Sequence, residues 1–392
     1  MKKVLAIVLS LVLALSLVAF VACDNTPGGN NFHEVDLEDQ DTREEFVNAL
    51  AEKVDVEKLI GDPTEEGWTF GLEETAKSKL DFDVQYSMAG TSIGAYTAKG
   101  KVEFSENAKL KITGNSANDA PDFVSSTSIG LKGNVELSDS IYALLNVLSQ
   151  QIDVDGLDIA ATVKSVITNF NYEVKTYVDK DVALVEMSDG LYSKLPDFVR
   201  EFLGSRKLKF DLSDLTSYGI STFETTTTEG VEDFLELDTE EVKQFINDFI
   251  DDVLLQYKIS ISVSATNGYA LRITVKQESI LAILDEVFND VPANYAELVS
   301  SLKNAIGSDT KFELTVRVDE EGAFSSIKTE SRFSINLSLS TSALGTVKAK
   351  ISTSDTVEIK KFSGRISKPN DKDYEELDVS GLIGSGDYGF GW

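Results

Sequence analysis

Between Lys79 and Met88 the chain reads KLDFDVQYSM, in which Leu80, Phe82, Val84, Tyr86 and Met88 alternate with Lys79, Asp81, Asp83, Gln85 and Ser87. Successive side chains of a β-strand point to opposite faces, so this period of two writes one apolar and one solvated face. The pattern returns in Tyr96, Ala98, Val102 and Phe104, in Ile129, Leu131, Val135 and Leu137, and in Tyr172, Val174, Thr176 and Val178. It returns again in Tyr257, Ile259, Ile261 and Val263, which Thr266-Asn267-Gly268 joins to Tyr269, Leu271, Ile273 and Val275. Asn-Gly between two alternating runs predicts a hairpin, because both residues accept positive φ. A third set runs through Phe312, Leu314, Val316 and Val318, turns at Asp319 to Gly322, and continues in Ile327, Phe333, Ile335, Leu337 and Leu339. Strands with one wet face are the material of an antiparallel sheet.

Helical periodicity interrupts the strands. Thr42-x-x-Glu45 has the form of a capping box, followed by Phe46, Ala49 and Leu50 and closed by Gly61, Asp62 and Pro63. One amphipathic insertion carries Ile141, Leu144, Leu145 and Leu148, then Val163, Val166, Ile167 and Phe170. Another begins near Asp238 with Val242, Phe245, Ile246, Phe249, Ile250, Val253 and Leu254. Ile280, Ile283, Leu284, Val287 and Phe288 follow, and beyond Pro292 come Tyr295, Leu298, Val299, Leu302 and Ile306. Strands, helices and strands thus succeed one another twice, at about 42–235 and 236–372. The predicted class is α+β: a curved antiparallel sheet, or two half-barrel units in tandem, covered by amphipathic helices. One continuous sheet with two helical insertions is the alternative. Residues 373–392 read as a glycine-rich tail, whose Tyr388, Phe390 and Trp392 alternate as in the last strand of an outer-membrane barrel; amphipathic helices suit a barrel wall poorly.

The formal charge is −30 with 42% hydrophobic residues, so the acidity belongs to a chain with a real core, not to a disordered acidic tail. Such a charge repels nucleic acid, and close docking on an anionic bilayer requires a lipid anchor or a local basic patch. The single histidine, His33, and the single cysteine, Cys23, both lie near the start. His-based zinc sites and Ser/His/Asp triads are therefore not expected in the body, nor is a disulfide.

Lys2 and Lys3 precede an apolar run from Val4 to Ala22, and Phe20-Val21-Ala22-Cys23 opens onto a polar stretch from Asp24. This resembles a bacterial lipoprotein signal peptide over 1–22, with Phe20 where the family usually has Leu. The resemblance implies acylation of Cys23, a tether over 23–41 rich in Asn, Gly and acid, and attachment to the extracytoplasmic face of a bacterial membrane. An ordinary signal peptide and an uncleaved membrane anchor are the alternatives.

The stretch NYEVKTYVDKDVALVEMSDGLYSKLP, from Asn171 to Pro196, contains two strands around Asp179-Lys180-Asp181 and a Tyr-x-Lys-Leu-Pro ending; ISKPNDKDYEEL, from Ile366 to Leu377, has a Pro-containing exit. With the anchored start and the helices set between strands, these resemble the LolA/LolB-like superfamily of lipid-carrier lipoproteins. That resemblance implies a curved half-barrel closed by helices around a cavity for acyl chains.

An apolar sheet face needs apolar cover, from helices and, where they leave a gap, from a ligand. Phe82, Tyr86, Phe104, Tyr257 and Phe333 are candidate wall residues, and Phe245, Phe249 and Phe288 candidate lids; ordinary core packing explains the same residues. Binding or transfer of a lipid or other hydrophobic molecule is the leading function, and a non-catalytic structural or interaction lipoprotein with a filled core is its rival. No cofactor, metal or catalytic residue is expected. Asp153, Asp155 and Asp158 flank Gly156 without the distal Glu of a calcium loop, and Asp158 is better placed to cap the helix that follows. Ser300-x-x-Lys303 and Ser325-x-x-Lys328 match the spacing of acyl-enzyme hydrolases but lack the accompanying motifs.

Overall fold

A computed structural model describes residues 32–51, 69–90, 94–113, 122–151, 158–212, 239–265, 268–289, 292, 296–319, 323–341 and 345–377. Residues 1–22, expected to form a signal peptide, Cys23, Asp153, Asp155 and the part of the tail read over 373–392 that follows Leu377 lie outside these residues. In chain order the elements are β1 (His33–Glu34), α1 (Gln40–Ala51), β2 (Thr69–Ser87), β3 (Tyr96–Thr113), β4 (Asp122–Leu137), α2 (Asp139–Gln151), α3 (Ile159–Ile167), β5 (Phe170–Asp179), β6 (Val182–Met187), α4 (Asp189–Tyr192), α5 (Asp197–Leu203), β7 (Lys207–Asp211), α6 (Thr239–Phe249) with a π-helical turn (Ile250–Leu255), β8 (Ser260–Ser264), β9 (Tyr269–Lys276), α7 (Gln277–Val287), α8 (Ala296–Ala305), β10 (Lys311–Val318), β11 (Phe324–Thr341), β12 (Gly345–Lys361) and β13 (Glu375–Glu376).

All thirteen strands join one curved, unclosed sheet in the order β1-β8-β9-β10-β11-β12-β2-β3-β4-β5-β6-β7-β13. Pairing is antiparallel except where β13 runs parallel to β7. The architecture is an α+β half-barrel, and the strand groups read from the sequence meet where β12 pairs with β2 from Thr346↔Ser87 to Lys361↔Leu72. The predicted hairpin joins β8 to β9, with Gly268 at φ +94°. A Cβ there would sit 2.2 Å from the Val318 carbonyl oxygen, so backbone conformation and space both require glycine.

At the β8–β9 end, Leu37, Phe46, Val47, Ile246, Ile250, Leu254, Ile261 and Leu271 form a buried cluster. Ile246, Ile250 and Leu254 recur every fourth residue and stay on one side of the helix as it widens into its π-helical turn. Arg43 ties α1 to that turn through Asp251, at 2.7 and 2.8 Å, and donates from Nε to Asn247 Oδ1 at 2.9 Å. At the other end Tyr177, Val182 and Leu184 are buried against Val124, Ile366 and Tyr374, where the C-terminal segment folds back before becoming edge strand β13.

Several local expectations change. The tether read over 23–41 shortens, because His33–Glu34 pairs with β8 and Leu37 is buried; two apolar side chains, Val35 and Leu37, anchor a segment whose acidic composition hid them. The first helix starts before Thr42. Its cap is Asp39, whose carboxylate accepts from the Thr42 amide at 2.8 Å and the Thr42 hydroxyl at 2.7 Å, a stronger acceptor than the proposed hydroxyl. Phe170 begins a strand instead of ending a helix, after Asn169 turns the chain at φ +48°. Tyr257 belongs to the turn after α6, not to a strand. Asp158 does cap α3, accepting from the Ala161 amide at 2.9 Å.

Candidate functional site

Cross-strand partners share a face, so the registers sort the long strands into two surfaces. On one face, Ile335, Ile351, Phe82, Gly100 and Val135 form a row across β11, β12, β2, β3 and β4. The adjacent rows are Phe333, Thr353, Leu80, Val102 and Gly133; Leu337, Ala349, Val84, Ala98 and Leu137; and Leu339, Val347, Tyr86 and Tyr96. These four rows contain no charged residue. Farther along the strands the same face turns mixed: Ser331 donates to Asp355 at 2.9 Å, and Glu74 and Glu106 also lie there.

Glycines on this face are sites of aromatic contact. A Cβ at Gly100 would be 3.0 Å from Phe82 Cζ, and one at Gly133 would be 3.0 Å from Phe170 Cζ. Each ring thus lies over the glycine of the neighbouring strand, a cross-strand pairing in which the missing side chain makes room. Tyr86 and Tyr96 stack with centroids 6.2 Å apart.

Helices cover the apolar face unevenly. Tyr172, a face-mate of Leu131, donates its hydroxyl to the Val166 carbonyl at 2.6 Å, which lays α3 over β5; burial raises the pKa of that phenol. The α6 cluster covers β8 and β9. Between these covers the rows are half-buried, and Ile129, Leu131 and Phe312 on the same face are exposed. The stripe predicted to bury α2 is also only partly used: Ile141, Tyr142 and Leu145 are half-buried, whereas Leu144 and Leu148 are exposed together with Val147. An amphipathic stripe predicts which side is apolar but not whether anything packs on it.

The predicted wall residues Phe82, Tyr86, Phe104 and Phe333 come together on the apolar face of β2, β3 and β11. Tyr257 does not join them; its hydroxyl bonds to Glu286, and that bond with burial raises its pKa. Phe245 and Phe249 pack into the β8–β9 core, and Phe288 is half-buried at the end of α7. In the sheet order β10, β11 and β12 separate β9 from β2, a span of about 19 Å at the usual strand spacing. Phe245 and Phe249 therefore lie apart from the wall residues Phe82 and Tyr86 on β2, whereas Phe333 on β11 is two strand spacings from β9. The rows contributed by Val347, Ala349 and Ile351 on β12 were missed, although their alternation was available in the sequence; small polar Thr353 and acidic Asp355 interrupted it.

Two cavities accompany this surface; the first is polar, and the second mixes charged side chains with apolar surface. One of about 680 Å³ lies between α1 and α6, lined by Arg43, Glu44, Asn48, Lys243, Gln244 and Asn247 among others. The other, about 620 Å³, is lined mainly by Asp81, Asp83, Lys99, Lys101, Glu136 and Lys350, with Phe82 beneath. Neither has the lining of an acyl-chain cavity. The two Ser-x-x-Lys matches do not assemble either: Lys303 is held by Asp285, and Lys328 by Glu330. Among the described residues, no helix is long and apolar enough to cross a membrane.

No family model matches the chain, and no curated protein does. Among solved structures, the toluene transporter TodX of P. putida covers 80% of this chain and 95% of its own, at 7% identity and TM-score 0.15. A β-barrel-like DUF1849 protein of Brucella abortus covers 74% and 99% at 8% identity and TM-score 0.13, and a Pseudomonas aeruginosa FadL homologue 75% and 90% at 6% and 0.10. At these scores the likeness carries no argument about fold or function. The class rests on the sheet itself: an α+β half-barrel with one strongly apolar face.

Proposed function

We propose that this chain is a membrane-anchored extracytoplasmic lipoprotein, acylated at Cys23, that binds or transfers a lipid or other hydrophobic molecule on the apolar face of β11, β12, β2, β3 and β4. One observation supports it most: four adjacent rows without a charge run across these strands, while exposed Ile129, Leu131 and Phe312 lie on the same face. Contiguous apolar surface of this kind in a water-facing protein marks a binding region. Acyl chains would lie along the rows near Phe82, Tyr86 and Phe333, with Phe104 toward the mixed half. The LolA/LolB-like resemblance belongs to this proposal, with an open trough in place of an enclosed cavity. The function is non-catalytic and uses no cofactor.

The rival, a structural or interaction lipoprotein with a filled core, has its own observation: Phe245 and Phe249 pack against the buried cluster of Phe46, Val47 and Ile261, as ordinary core residues do. Native mass spectrometry after organic extraction and reloading separates the two. Recovery of protein carrying a hydrophobic ligand, lost in Phe82→Asp, supports binding on this face. No mass increase with any of a range of fatty acids, phospholipids and hydrocarbons would overturn it. Labelling with radioactive palmitate, abolished in Cys23→Ser, tests the anchor separately.

A further inference from the structure

The opposite face of the same strands carries the reverse signature. From β9 to β4 in sheet order it presents sixteen basic and nine acidic side chains, a surplus of seven positive charges in a chain whose formal charge is −30. The apolar face of those strands holds only Asp355, Glu74, Glu106 and Lys361. Glutamates on the polar face are shared: Glu103 serves Lys79 and Lys132, Glu73 serves Lys109 and Lys360, and Glu313 serves Lys311 and Arg272. Lys77, Lys276, Arg332, Lys348 and Lys350 are exposed on it and form no ion pair among the described residues.

The start of the described chain lies on this face too. The Phe32 ring is stacked under Arg272, whose Cζ is 3.6 Å from the centroid, and Arg317 lies at 5.6 Å. From Cys23 to Phe32 there are nine residue steps, which span at most about 30 Å when extended. A lipid on Cys23 would hold the Arg272 edge of the basic face within that distance of a bilayer.

We propose that the polar face of the central sheet is a docking surface for an anionic lipid bilayer. The acidic remainder of the chain does not prevent this. Charges more than about 8 Å from the headgroups are largely screened at physiological salt, whereas cations at the surface each add to attraction. The charge asymmetry orients the molecule, turning the basic face to the lipid and the apolar trough away from it. The tether part of this proposal rests on the anchor at Cys23; the charge part stands on the registers alone.

The test is a lysine footprint of the lipidated protein on vesicles, using an amine-acylating reagent and mass spectrometry. On phosphatidylcholine vesicles containing phosphatidylglycerol, Lys77, Lys348 and Lys350 should lose about threefold or more of their reactivity relative to pure phosphatidylcholine, and regain it at high salt. Lys164 and Lys372, outside the face, should not change. The variant Lys77→Glu/Lys348→Glu/Lys350→Glu, shown folded by circular dichroism, should lose the protection of neighbouring Lys79 and Lys99. Equal reactivity on the two vesicles, uniform protection of all lysines, or stronger protection by soluble dextran sulfate than by anionic vesicles would overturn the proposal. Release of the protein from pure phosphatidylcholine but not from the anionic vesicles would sink the Cys23 anchor and support the docking surface, release from both would overturn both, and loss of hydrophobic ligand binding alone would leave the docking surface intact.

Discussion

The β8–β9 end and the central strands use the same alternating pattern and come to different states. At the β8–β9 end, α1 and α6 lie on the apolar face, and Ile250, Leu254, Ile261 and Leu271 have at most 1% exposure. Across β11, β12, β2, β3 and β4 the rows are as apolar, yet the side chains are only half-buried. Amphipathic strands thus need a partner layer to become core, and helices supply one here only in part. Full cover makes a core, and partial cover leaves apolar side chains half-buried.

The largest expected effect separates these regions directly. Ile250→Ala should cost about 2–5 kcal/mol in urea unfolding, the range for deleting a buried aliphatic side chain, whereas Phe82→Ala should cost roughly 1–2 kcal/mol because Phe82 is only half-buried. Equal costs would mean that the central face is closed and would remove the basis for ligand binding there. Next come the hairpin glycines. Gly268 beside the packed end and Gly345 beside the open one have φ of +94° and +95°, and a Cβ would meet carbonyl oxygens at 2.2 and 2.0 Å. Alanine at either should cost about 1–3 kcal/mol from backbone strain. If only Gly268→Ala unfolds the protein, helix packing and not the turn sets the penalty. Asp158→Ala, which frees the Ala161 amide, should cost about 1 kcal/mol and loosen α3 over β5, seen as faster amide exchange at Ala161.

The smallest effect is that of pH. The Arg43 hydrogen bond holds Asp251 below the ordinary carboxylate range at the packed end. At the centre, burial works to raise Glu73, but Lys109 and Lys360 outweigh it and the net shift is downward. A carboxylate whose folded pKa lies below its unfolded value contributes fully above the unfolded value, and its contribution disappears as pH falls through the folded one. Both ion pairs should therefore leave stability flat near neutrality and reduce it below the ordinary range near 3.8 for Asp and 4.5 for Glu. Chemical shifts of the two carboxylates across that range check the direction. Asp251→Asn should flatten the acid limb at the packed end while leaving the Glu73 titration in place.

Most strands were legible because burial of one face imposes period two, and the Asn-Gly hairpin and the Asp158 cap are short-range devices that declare themselves locally. β12 was not: Thr353 and Asp355 lie mid-strand, and only their cross-strand partners, Ser331 for Asp355 and Phe333 for Thr353, show why polar atoms are tolerated. Of the candidate site, Phe82, Tyr86, Phe104 and Phe333 were found as one surface, whereas Phe245 and Phe249 were grouped with them through shared chemistry. Aromatic residues look alike in a sequence whether they fill a core or line a surface.

Alone, the amino-acid sequence determined the two-faced character of the strands, the acidic balance, and the scarcity of His and Cys, because each follows from residue type and spacing. Tertiary structure decided which strands are neighbours, that β12 and β2 close the two halves into one sheet, that the basic residues gather on one face, and where helices stop covering the other. Those outcomes depend on pairing between residues hundreds of positions apart, as Thr346 with Ser87 is, and no local period encodes such a register.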